Sequence, residues 1–125
     1  MGMIKIPQVS IEKFQENYKN IFDTGNLAEG QWNENLSNYF KKYVDVKHAI
    51  TFSSNGSGLL AILIILKRYR GYKNIFIQSN TMYGVKTIAN SSGLNYIGAV
   101  SCSLPSLMPT IAQVTDFVVK LKEPE

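Results

Sequence analysis

The sequence predicts a small three-layer α/β domain with a mostly parallel three-stranded sheet, and three observations predict it. Short apolar runs rich in β-branched or aromatic residues at His48–Phe52, Asn74–Gln78 and Asn95–Val100 read as strands. The stretches between them, residues 59–69 and 83–91, have the length and apolar character of helices. Tight turns join the pieces, so the order strand, helix, strand, helix, strand calls for right-handed crossovers in one sheet. A chain of 125 residues has room for one such domain and one core.

Two helices should precede the sheet. Ser10 followed by Ile11, Phe14, Tyr18, Ile21 and Phe22 has the spacing of an amphipathic helix behind a serine cap, stopping at Asp23-Thr24-Gly25. A polar turn over residues 26–30 leads into a second helix at 31–43, expected to bury Trp32, Leu36, Tyr39, Phe40 and Tyr43. The strand His48–Phe52 then ends in Ser53-Ser54-Asn55-Gly56-Ser57-Gly58. The helix that follows is apolar on nearly every side in its first two turns, as a helix between a sheet and another layer would be. The strand Asn74–Gln78, a helix over 83–91 ended by Ser92-Gly93, and the strand Asn95–Val100 complete the unit. Beyond it, Pro105 and Pro109 bound a loop, and residues 110–122 form a last short helix. The chain therefore reads as N-terminal helices (10–43), a β-α-β-α-β segment (48–100) and a C-terminal loop and helix (101–125).

Composition excludes several classes. An apolar fraction of 45% and a charged fraction of 18% describe an ordinary globular protein. The longest apolar run, residues 59–66, is far short of the roughly 20 residues needed to cross a bilayer, and no secretory signal opens the chain. A cytoplasmic location and no membrane partner are expected. The single Cys102 forbids an internal disulfide and reads as a small hydrophobe at a strand end. With His48 and Cys102 alone and far apart, no metal site is expected. His48 reads as a structural residue at a strand start, and Glu12, Glu16, Glu29 and Glu34 form no paired-carboxylate pattern. Lys67, Arg68, Arg70 and Lys73, interleaved with Tyr69 and Tyr72, are the one basic-aromatic cluster in a chain of net charge +4. They are the cations expected to close a helix C-terminus before Gly71, and a nucleic-acid partner is disfavoured.

The segment with chemistry in it is Ser53–Gly58. Between a buried strand and a buried helix, free backbone N–H groups and the positive end of the helix dipole converge on an anion. Gly56 lets the chain turn and an anion approach, and the hydroxyls of Ser54 and Ser57 add donors. A phosphate monoester could be held there without a lysine. The spacing is neither the Walker pattern nor G-x-G-x-x-G.

The run Val46-Lys47-His48-Ala49-Ile50-Thr51-Phe52-Ser53-Ser54-Asn55-Gly56-Ser57 resembles the signature of the DegT/StrS-type sugar aminotransferases, pyridoxal-phosphate enzymes of fold type I. Thr24-Gly25-Asn26-Leu27-Ala28-Glu29-Gly30 is similar to the family's S-G-x-L-x-x-G turn. Ile77-Gln78-Ser79-Asn80-Thr81-Met82 is similar to I-x-P-S-[FY]-T-[FW], and residues 93–99 to the G-A-x-P-x-F-V-D that follows. The resemblance covers roughly residues 10–100 and implies the first part of the family's large domain. It implies pyridoxal 5'-phosphate as cofactor, with Gly56 and Ser57 holding its phosphate and Ser54 and Asn55 beside them. Met82 stands where the family usually stacks an aromatic on the pyridine ring, with Tyr83 one position away, and Ser101 stands near the usual aspartate.

In the family, the Schiff-base lysine and the carboxylate facing the pyridine nitrogen lie further along than this chain extends. No lysine here, Lys86 and Lys120 included, matches that position. The expectation is an aminotransferase-like N-terminal fragment with no catalytic residue of its own. In that family later strands separate the first strand from the second, so a homo-oligomer or a complementing chain is expected to cover the open sheet. Three functional readings remain open: that fragment, a stand-alone non-catalytic module binding a phosphorylated small molecule at Ser53–Gly58, and a nucleic-acid accessory using the cluster at 67–73.

Overall fold

The structure, a computed structural model, describes residues 4–121. The chain divides into two compact units with the break between Thr51 and Phe52.

The first unit holds two helices. Helix α1 (Gln8–Thr24) starts two residues earlier than the sequence suggests. Its cap is Pro7, whose carbonyl accepts from the N–H groups of Ser10 (2.9 Å) and Ile11 (3.2 Å), and Ser10 lies inside the helix. Proline fixes φ near the helical value and so can open a helix without a side-chain acceptor. Gly25 ends α1 in the left-handed region (φ 69) and donates to the Phe22 carbonyl at 3.1 Å. Helix α2 (Gln31–Tyr43) follows Gly30, whose φ of 134 suits glycine alone. Glu34 in its first turn and Lys41 and Lys42 in its last complement the helix dipole.

Both helices carry the apolar stripes that the sequence predicts, with ring pairs at the four-residue spacing (Phe14–Tyr18 6.1 Å, Tyr39–Tyr43 5.9 Å). Neither buries a residue. The expected burial of Trp32, Leu36, Tyr39, Phe40 and Tyr43 is corrected: all five are exposed, Tyr43 to 72%. Periodicity identifies which face of a helix is apolar, but a covering layer must come from elsewhere.

The second unit is α/β. It contains α3 (Asn55–Arg70), β1 (Asn74–Gln78), α4 (Tyr83–Ser91), β2 (Asn95–Val100) and α5 (Ile111–Lys120). Strands β1 and β2 pair in parallel, with Asn74 opposite Asn95 and Gln78 opposite Val100. One extra residue in β2 makes a bulge where Gly98 takes φ 129. The gap at Gly98 admits the Phe117 ring of α5, and that ring also meets Phe76 of β1 at 5.4 Å between centroids. The predicted helix at 110–122 is observed as α5; Lys122 lies outside the described residues.

The three-stranded sheet is corrected to a two-stranded one. Residues 48–52 form no strand. An apolar pentapeptide becomes a strand only where another edge lies alongside it. Here Ile50 is 78% exposed, and Phe52 instead lays its ring against Gly58 of α3, where an added Cβ would sit 3.3 Å from the ring. Helix α3 also begins earlier than expected, at Asn55, so that four residues of Ser53–Gly58 are helical. Of its apolar surface only Leu63 is buried, while Ile62, Ile64 and Ile65 are exposed. The core of this unit among the described residues is Leu63, Ala89, Leu94 and Val100. Buried Ser92 is fully satisfied, donating to the Ala89 carbonyl (2.6 Å) and accepting from the Leu94 N–H (3.2 Å).

Candidate functional site

The start of α3 gathers three hydroxyls. Ser54 is the N-cap in extended geometry, and it forms a reciprocal capping box with Ser57. The Ser57 N–H donates to Ser54 Oγ at 3.1 Å, and the Ser54 N–H donates to Ser57 Oγ at 3.2 Å. Ser57 Oγ also lies 3.4 Å from Ser53 Oγ and 3.1 Å from Ser54 Oγ. The Gly58 N–H is taken by the Ser54 carbonyl at 3.2 Å. That leaves the N–H groups of Asn55 and Gly56, the first two of α3, without an intrahelical acceptor. Two free N–H groups, three rotatable hydroxyls and the positive end of a 16-residue helix therefore meet at one exposed point. This donor set fits a phosphate group: the serines that satisfy each other in the cap can turn their protons outward to an anion.

Gly56 has a different role from the one its sequence context suggests. It is not in a turn but in the first turn of α3, with ordinary helical φ. An added Cβ there would lie 3.1 Å from Ile88 Cδ1 of α4, so the missing side chain lets α4 pack close beside the start of α3.

Met82 and Tyr83 stand at the start of α4, Met82 as its N-cap and Tyr83 as its first residue. They are exposed to 73% and 82%, and among the described residues no hydrogen bond or ring contact ties them to the serine cluster. Helix α4 starts beyond the end of β1, and Gly56 in the first turn of α3 packs against its Ile88, not against its first residues.

Two features there escaped the reading of the sequence. Between Asp45 and Asp116 the chain has no acidic residue at all, while Lys47, Lys67, Arg68, Arg70, Lys73 and Lys86 lie in that stretch. An anion at the serine cluster meets no carboxylate of its own segment. Composition by window would have exposed this; the mild net charge hid it. The second is Cys102, two residues past β2 and half-buried. Its thiol lies 3.6 Å from the Ser79 hydroxyl just past β1. That hydrogen bond holds the thiol pKa below its ordinary value, with backbone bonds from Asn80 and Ser79 acting the same way against the opposing effect of burial. Only the pairing of β1 with β2 brings Ser79 and Cys102 together, the Ser79 N–H donating to the Val100 carbonyl at 2.8 Å.

Elsewhere the basic cluster sits at the last turn of α3, before Gly71 in the left-handed region. Lys67 donates to the Gly93 carbonyl, and Arg68 lies 5.7 Å from the Tyr69 ring centre. A cleft of about 670 Å³ belongs to the first unit, lined in part by Glu29, Asn33, Glu34, Asn38 and Lys41; it includes none of the expected site residues. Among the described residues no three His, Cys, Asp or Glu side chains are placed to hold a metal, and no helix is long and apolar enough to cross a membrane.

One family model matches the chain, that of the DegT/DnrJ/EryC1/StrS aminotransferase family, over residues 8–100. No curated protein and no solved structure gives a significant match.

Proposed function

Since the chain belongs to the DegT/DnrJ/EryC1/StrS aminotransferase family, we propose that it is the phosphate-holding segment of an aminotransferase-like protein. The ligand is a phosphate monoester, and pyridoxal 5'-phosphate is the one the family implies. The observation that carries this reading is the start of α3, where the Asn55 and Gly56 N–H groups and the hydroxyls of Ser53, Ser54 and Ser57 converge. These groups bind and orient the phosphate; Met82 and Tyr83, at the start of the neighbouring helix, are the side chains nearest in sequence to the family's ring-stacking position. When bound, pyridoxal 5'-phosphate supplies the electron-withdrawing ring on which amino transfer depends. This segment contributes the anchorage and assigns none of its own lysines or carboxylates to the reaction. The groups that complete the site come from another segment or another chain, and the protein acts as a homo-oligomer or with a complementing chain.

The test is calorimetric titration of the 125-residue chain with pyridoxal 5'-phosphate and, separately, with inorganic phosphate. Binding that both ligands share, and that Ser57→Ala weakens at least about threefold, is expected from the loss of one charge-assisted hydrogen bond. Saturable binding that phosphate does not compete for, or that Ser57→Ala leaves unchanged, would overturn the reading.

A further inference from the structure

The segment that leaves β2 folds back onto the turn that leaves β1. Ser103 and Met108 form an isolated antiparallel bridge, with the Ser103 N–H donating to the Met108 carbonyl at 3.0 Å. Inside it Leu107 takes φ 57, in the left-handed region, and its N–H donates to the Ser103 carbonyl at 2.8 Å. Among the described residues the other non-glycine with positive φ is Asp45, a residue type that tolerates this region. Leucine does not, because its Cβ crowds the following carbonyl oxygen, and the half-exposed Leu107 side chain offsets little of that strain by burial. From outside the loop the Leu107 carbonyl accepts a bond from Asn80 Nδ2 at 3.1 Å, across 27 residues of chain. Asn80 stands in the turn between β1 and α4, and its own carbonyl accepts from Gln78 Nε2 at 3.1 Å. The turn is therefore tied at Ser79 to Val100 and at Asn80 to Leu107. Two residues on, Met82 caps α4 with no side-chain hydrogen bond of its own.

We propose that Asn80 is a positioning residue for the ligand of this segment. Its amide clamps the Leu107 carbonyl, and the clamp fixes the turn that presents Met82 and Tyr83 to a phosphate ester held at the start of α3. The inference rests on the phosphate-holding reading above, and it separates two parts of the ligand. The phosphate is met by the serines and N–H groups of α3, to which Asn80 makes no bond. The organic part is met by side chains whose backbone Asn80 steadies. Without the amide donor, Leu107 keeps its steric penalty and loses the partner of its carbonyl, so the loop relaxes toward ordinary negative φ. The turn then keeps only its tie at Ser79, and Met82 and Tyr83 gain freedom while the serine cluster stays as it is. Binding of the whole ester must restore that order and weakens; binding of bare phosphate has nothing to restore.

The test is Asn80→Leu in the 125-residue chain, which keeps the bulk and removes the donor. Calorimetric titration should show the dissociation constant for pyridoxal 5'-phosphate rising about threefold or more, while that for inorganic phosphate stays within about 1.5-fold of the parent. Hydrogen exchange reads the clamp itself, without any ligand: the Leu107 amide should exchange several-fold faster, and the amides of β2 should keep their rates. Equal weakening of both ligands would make Asn80 a residue of structure alone and overturn the proposal. An unchanged affinity for both, or a Leu107 amide that exchanges at the parental rate, overturns it as well. In each of these cases the parent still binds both ligands, and the phosphate-holding reading stands. A parent chain that binds neither pyridoxal 5'-phosphate nor phosphate removes that reading and the proposal together.

Discussion

The two units of this chain carry apolar surface of the same kind and use it differently. Residues 1–51 contain six cations and six carboxylates and fold into two amphipathic helices with no buried residue. Residues 52–125 carry the whole net charge, and their sheet gives the helices something to pack against, so that Leu63, Ala89, Leu94 and Val100 leave water. An amphipathic stripe is a demand for a partner. In the second unit the chain meets that demand in part through β1 and β2. In the first unit the helices hold their shape through local means, a proline start and a glycine stop at α1 and charges matched to the dipole at α2, which together are worth little without packing.

The largest expected effect comes from cutting the same residue type in each unit. Leu63→Ala, at a position only 8% exposed, should cost about 2–3 kcal/mol, the lower part of the range for core leucines, because the core around it is small. Leu36→Ala, on the half-exposed stripe of α2, should cost less than about 1 kcal/mol. Urea denaturation followed by far-UV circular dichroism measures both. A Leu36 cost equal to that of Leu63 would break the comparison, since it would mean that the α2 stripe is covered in solution.

Glycine replacements sharpen it at a smaller scale. Gly25 and Gly93 both sit in the left-handed region, with φ 69 and 74. At Gly25 an added Cβ meets nothing within 4 Å, so Gly25→Ala should cost only the conformational penalty, about 1 kcal/mol. At Gly93 the Cβ would lie 2.6 Å from Lys67 Nζ, which donates to the Gly93 carbonyl. Gly93→Ala should therefore cost the same penalty plus the displaced cation, about 1–2 kcal/mol. Equal shifts in melting temperature would show that Lys67 moves aside freely and that the tie between α3 and the turn before β2 contributes nothing.

Local signals made most of this fold legible. The residues 31–43, 74–78, 83–91 and 95–100 were readable as elements with these bounds, because each has a clear period and a clear stop such as Gly93. The family was legible too, since its motifs run in order along most of the matched residues. What failed depends on neighbours. The stretch 48–52 has a strand's composition but no edge beside it, and Phe52 found the gap at Gly58 instead. Trp32 and Tyr39 have the spacing of core residues, yet spacing says nothing of what lies opposite. At the site, the serines were visible as a cluster, but the reciprocal cap that binds Ser54 to Ser57, and the contact of Gly56 with Ile88, exist only once α3 and α4 are in place.

The smallest effect probes a contact that no sequence window contains. Ser79 and Cys102 are 23 residues apart and meet at the C-terminal end of the β1–β2 pair, where the serine hydroxyl favours the thiolate. The thiolate is the reactive form, so a lowered pKa means a larger reactive fraction at neutral pH. The rate of iodoacetamide alkylation of Cys102 should therefore rise to its plateau at lower pH than for a free thiol. Ser79→Ala removes the largest of the lowering causes, and the midpoint should move upward, with less alkylation at pH 7. Nothing in the first unit should respond, because it contains no thiol and no pairing of this kind. If the midpoint does not move on Ser79→Ala, then the strand ends are not held in the parallel register that brings the two side chains together. In that case the second unit would owe its order to α3 and α4 alone, and the contrast between the two units would narrow to helices that find a partner and helices that do not.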